Sequence, residues 1–121
     1  MNLPKVYNLK NDTWNEDKGD YNSAANQHVI ETEEVKVFQS YDTRVCYIDK
    51  KTNKVYLVAQ TLEKVYRREN PWDEPPTTPN STTTRKHLYI FLRNHAKMAI
   101  HSIRDLKAYV KAGRIIVVEQ F

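Results

Sequence analysis

The chain has 121 residues, 40% of them apolar and 28% charged, with a formal net charge of +4. These values suit one folded domain with its own core and argue against full disorder. A mean hydropathy of −0.76 without any apolar run near ~18 residues excludes a membrane-spanning helix, and two glycines with one cysteine exclude collagen-like repeats, disulfide scaffolds and zinc ribbons.

Residues 1–32 are rich in Asn, Asp, Lys and Ser, and apolar residues do not recur in them with a strand or helix period. They read as an irregular acidic N-terminal arm, with turns at Asn11-Asp12, Lys18-Gly19-Asp20 and Asn22-Ser23, and with Trp14 and Tyr21 as its anchors on the body. Met1-Asn2-Leu3-Pro4-Lys5 lacks the cationic start and apolar run of a signal peptide. Residues 33–121 are expected to form a single α+β domain. Residues 34–41 alternate, with Val35, Val37 and Gln39 on one side and Lys36, Phe38 and Ser40 on the other, as in a strand. Two further strand-like runs flank the polar turn 49–54, which predicts a hairpin over about 43–61. Cys46 lies inside the first of them and reads as a buried structural thiol.

Four prolines among residues 71–79 forbid a regular helix or central strand, so 70–80 is predicted to be a Pro-rich loop, with Trp72 as a possible protein contact. Ser81 to Thr84 supply candidate N-caps for a helix over about 84–97. At 100° per residue, Leu88, Phe91, Leu92, His95 and Ala99 fall on one arc of roughly 100°, the expected core face. Arg85, Lys86, Tyr89, Arg93 and Lys97 fall on a neighbouring arc of roughly 120°, a cationic face with one aromatic in its middle. Ser102 and Asp105 have the spacing of a capping box for a second helix, about 103–112, with Gly113 as its C-terminal stop. That helix carries Ile103, Leu106 and Val110 on one side and Arg104, Lys107 and Lys111 on the other. Ile115 to Val118 then read as a largely buried strand, about 114–120. The predicted fold is α+β: a small antiparallel sheet, made of the hairpin and the C-terminal strand, packed by two helices.

The charge is uneven along the chain. Residues 1–34 hold three basic and seven acidic groups, a net −4, whereas residues 85–121 hold eight basic and two acidic groups, a net +6. A basic third in a small domain is the electrostatic footprint of a partner that is anionic, either nucleic acid or an acidic protein surface. Lys86 and His87 also oppose the dipole of the helix start, which suggests either an anion bound at that end or a neutral, packed His87 with Lys86 in solvent.

Tyr41-Asp42-Thr43-Arg44-Val45 before the hairpin and Thr83-Thr84-Arg85-Lys86-His87, followed by Phe91-Leu92, form a pattern of their own. The pattern resembles that of a family of small uncharacterised proteins encoded by bacteriophages and integrated elements: Y-x-T-x-V, a two-strand hairpin, then T-T-x-K-H-x-x-x-F-L. The match spans residues 40–96, and the Pro-rich stretch is a departure from it. The resemblance implies a phage or mobile-element origin and a role in host takeover or in countering host defence. No activity comes with it.

Catalytic chemistry finds little support. His87, His95 and His101 match no zinc spacing. A metal-free nuclease would need such histidines gathered with a cation on the phosphate, and His95 falls on the core arc. No Gly-rich phosphate loop and no nucleophile motif occurs. The expectation is therefore a non-enzymatic binding protein without cofactor or metal, in the host bacterial cytoplasm. It would modulate or inhibit a host protein or protein–nucleic-acid machine, for example as an anti-defence or anti-CRISPR factor. Its predicted binding face is Arg85, Lys86, Tyr89, Arg93, Lys97, Arg104, Lys107 and Lys111. The alternative is a small DNA- or RNA-binding accessory protein using the same face.

Overall fold

A computed structural model describes residues 3–59 and 81–119. Trp72 and the Pro-rich loop lie outside the described residues. Six strands form one sheet: β1 (Lys5–Asn15), β2 (Asp20–Glu31), β3 (Val35–Ser40), β4 (Thr43–Asp49), β5 (Val55–Val58) and β6 (Ile115–Val118). Among the described residues, helices α1 (Ser81–His95) and α2 (Ile103–Lys111) lie between β5 and β6 in the chain. The strand order is sequential, and every neighbouring pair is antiparallel except β5 and β6, which run parallel. The α+β class therefore holds, but the sheet is mixed and larger than the predicted hairpin plus strand. The parallel pair follows from the connection, because strands joined through helices can return in the same direction, whereas tight turns cannot do this.

The largest departure is the N-terminal stretch. Residues expected to be an irregular arm are two long strands, and β2 pairs with β3 from Gln27 to Glu31. Their pairing changes phase twice. Between Asn8 and Lys10 on β1 the partner moves from His28 to Ser23, and between Lys10 and Trp14 it moves only from Ser23 to Tyr21. Each bulge resets which residues face inward, so no two-residue period survives in the sequence. Asn26 takes a left-handed φ of 61° within the first bulge. Its carbonyl accepts a 2.7 Å hydrogen bond from the Tyr41 N–H in the β3–β4 turn. Leu9, Ala24, Gln27 and Val29 anchor the pair inside. Trp14 and Tyr21 do not serve as anchors: they pack edge to face on each other at 5.1 Å and stay 52% and 46% exposed.

The predicted alternation of β3 is observed, with Phe38 and Ser40 buried. In β4 both Val45 and Cys46 are buried. The register explains this, since Phe38 pairs Cys46 while Gln39 pairs Arg44, which leaves Val45 as the extra residue of a bulge. Burial pushes the Cys46 thiol well above its ordinary pKa, so it is an inert core group rather than a nucleophile.

The inner face of the sheet contributes Val29, Phe38, Cys46, Ile48, Val55, Leu57 and Ile115 to the core cluster that also holds the middle of α1. Five successive α1 residues, Leu88 to Leu92, are each 5% exposed or less. Five residues sweep about 400° around a helix, so α1 is enclosed on all sides at that level. The sheet covers one side, and Met98, Ile100, Leu106 and the stem of α2 belong to the same cluster. Phe38 and Phe91 stack at 5.4 Å, and His95 continues the stack on Phe91 at 5.0 Å. Desolvation, with the Lys36 charge behind it, holds the His95 pKa below its ordinary value. The core-arc expectation for His95 is thus met by stacking, whereas Ala99 is exposed beyond the helix.

The caps of α2 follow the prediction. Ser102 Oγ accepts from the Asp105 N–H at 3.3 Å, and Asp105 reaches back to the His101 N–H at 2.9 Å. Gly113, at φ 77°, closes the other end. Its N–H donates to Val110, and the Arg114 N–H donates to Tyr109, both at 3.0 Å, which is the paired-bond stop of a glycine-ended helix.

Two polar features yield measurable expectations. Gln27 is fully buried, opposite Ser40 in the ladder, and neither its amide nitrogen nor its amide oxygen has a hydrogen-bond partner. An unsatisfied buried amide costs about 1–3 kcal/mol. Gln27→Met, close in volume and apolar, should therefore raise the urea midpoint by an equivalent amount; a lowered midpoint would show that the amide stabilises this site. Glu31 joins three elements, accepting from Tyr7 Oη at 2.9 Å and from Lys50 Nζ at 2.7 Å. The bonds from Lys50 and then Tyr7 hold its carboxyl below the usual range. A lowered folded pKa contributes stability above the unfolded pKa and loses it as pH falls through the folded value. Glu31→Gln should be less stable at neutral pH, and its stability should fall less steeply than wild type as pH drops through and below the ordinary glutamate range in urea titrations.

Candidate functional site

The first helix sets the site through its i, i+4 spacing: Arg85, Tyr89 and Arg93 lie in one row, with Lys86 beside it. They line, together with His101, a depression of about 240 Å³. None of the described residues lining it is acidic. The sequence of bends after α1 brings His101 there. Lys97 adopts a left-handed φ of 56°, and the chain turns so that the Met98 N–H bonds the Leu92 carbonyl at 3.1 Å. Residues 96–102 then run back along the helix toward α2.

Arg93 is the fixed member of the site. Its Nη1 donates to the Ile100 carbonyl at 2.7 Å, and its Nη2 donates to Asp12 Oδ2 at 3.1 Å. Its side chain is 22% exposed, whereas that of Asp12 is 61% exposed. The contact links β1 to α1, so part of the charge asymmetry between the two ends of the chain is satisfied within the fold. Lys86 is exposed and His87 is buried, which matches the packed-histidine reading of the helix start.

The predicted face is only partly assembled. Arg85, Lys86 and Arg93 come together. Tyr89 shares their row but is 5% exposed and belongs to the core cluster, a correction to the exposed aromatic expected there. Helical periodicity alone does not reveal this burial, because it reports only which residues share a face. Lys97 is also corrected: it lies past the end of α1, and its left-handed backbone takes it out of the helical row. Arg104, Lys107 and Lys111 are exposed on α2, which starts two residues after His101. Sequence reasoning weighed His101 only as a catalytic group and passed over Asp12. Neither has a local signal, because both reach the site through long-range packing.

Among the described residues, no three His, Cys, Asp or Glu side chains lie close enough to hold a metal ion, and no helix is long and apolar enough to cross a membrane. No family model, curated protein or solved structure matches the chain.

Proposed function

We propose that this protein is a non-catalytic binding protein that acts by covering an anionic surface of a host protein or protein–nucleic-acid machine. The observation that carries this reading is the depression on α1 lined by Arg85, Lys86, Arg93 and His101. Arg104 and Lys111 on the following helix are exposed as well, and they add to the positive charge of this end of the chain. The motif resemblance to phage and integrated-element proteins supplies the setting, host takeover or defence antagonism. Direct binding of DNA or RNA is the second reading, favoured by the same convergence of cations on one concavity.

The test uses a triple charge reversal at exposed positions, Lys86→Glu, Arg104→Glu and Lys111→Glu, which leaves the core untouched. The wild-type chain should recover a stoichiometric partner from host lysate, and the triple variant should lose it by at least about tenfold, since rim charges act on encounter and specificity. Recovery of the same partner by both proteins, or of none by either, overturns the proposal. A salt-titrated mobility shift separates the second reading: direct nucleic-acid binding weakens steeply with salt, by nearly one unit of slope for each phosphate contacted.

A further inference from the structure

We propose that the depression on α1 is a site for a backbone phosphate of a nucleic-acid strand, and that Asp12 of β1 occupies one of its donors in the unliganded protein. The inference rests on the second reading, direct contact with nucleic acid, and names the group bound.

Three observations carry it. The site is concave and has a volume of about 240 Å³, large enough for one phosphate with part of its sugar, whereas an acidic protein face presents dispersed carboxylates. Its guanidinium is preoriented, because the Ile100 carbonyl holds Arg93 Nη1 at 2.7 Å. A fixed guanidinium fork suits phosphate oxygens and loses little freedom on binding. Finally, an anionic oxygen already sits on this group: Asp12 Oδ2 lies 3.1 Å from Arg93 Nη2. That carboxylate is mostly solvent-exposed, so holding it there contributes little stability and an incoming oxyanion can displace it. A strand rather than an isolated phosphorylated side chain is favoured because further cations, Arg104 and Lys111, follow on the next helix, as repeated phosphates require.

Asp12 thus acts as a competitor built into the ribbon, and its removal has a definite sign. Fluorescence anisotropy with a labelled single-stranded 12-nucleotide probe at low salt reads the outcome, with thermal midpoints confirming that each variant is folded. Asp12→Asn should tighten binding about threefold to tenfold by removing the negative charge paired with Arg93 Nη2, and Lys86→Gln should weaken it by a similar factor. Inorganic pyrophosphate should compete with the probe. Unchanged or weakened binding in Asp12→Asn overturns the proposal, as does tighter binding of a phosphoserine peptide than of the oligonucleotide. If the oligonucleotide fails to bind while capture of a protein partner still depends on Lys86, Arg104 and Lys111, the phosphate site is wrong and the binding-protein reading stands. If both fail, both are wrong.

Discussion

Truncating Phe91 to alanine should cost about 3–5 kcal/mol of stability, a large part of the roughly 5–15 kcal/mol that a domain of this kind possesses. Phe91 is fully buried and sits between Phe38 of β3 and His95 of its own helix, with ring centroids 5.4 and 5.0 Å away. His95 in turn neighbours Tyr7 of β1, the two rings tilted by 36° with centroids 6.4 Å apart. One side chain therefore bears on the sheet centre, the helix and the first strand together. Its loss leaves a cavity that surrounding groups, held on three different elements, are poorly placed to fill. Urea unfolding of the purified protein measures the effect. A change below about 1.5 kcal/mol would mean that α1 does not pack on β3 as described.

Leu9→Ala should cost about 2–5 kcal/mol, and Trp14→Ala less than about 1 kcal/mol. Side-chain size alone suggests the opposite order. Leu9 is 1% exposed within the core cluster, however, while Trp14 is 52% exposed and touches mainly Tyr21. The pair of variants tests whether the first 31 residues belong to the domain. If they were an appended arm, Leu9→Ala would fall within about 0.5 kcal/mol of wild type. Matched urea midpoints for the two variants would have the same meaning.

The elements legible in the sequence are those whose signals are local. The β4–β5 hairpin shows itself through two β-branched and aromatic runs around a polar turn. The second helix shows itself through Ser102, Asp105 and Gly113, each of which bonds to backbone within a few residues. The alternation in β3 is legible because that strand keeps one phase up to its end. On the candidate site, the cations of α1 were legible as a row, and three of them do come together.

Long-range contacts decided the remainder. The first two strands are polar, and their bulges shift phase, so they are held by pairing and by a few inward residues such as Leu9 and Val29 rather than by an apolar period. Tyr89 is withdrawn into the core cluster, to which Met98, Ile100 and Leu106, which follow α1 in the chain, also belong. His101 lines the site and Asp12 pairs with its Arg93; they flank the helix in sequence at very different distances and meet it only through the fold. What the sequence determined by itself was therefore the turns, the caps and the cationic row, because their energetics lie within one or two turns of chain. The tertiary structure decided the sheet's extent, the parallel last strand and the composition of the pocket, because each depends on which distant surfaces are buried together.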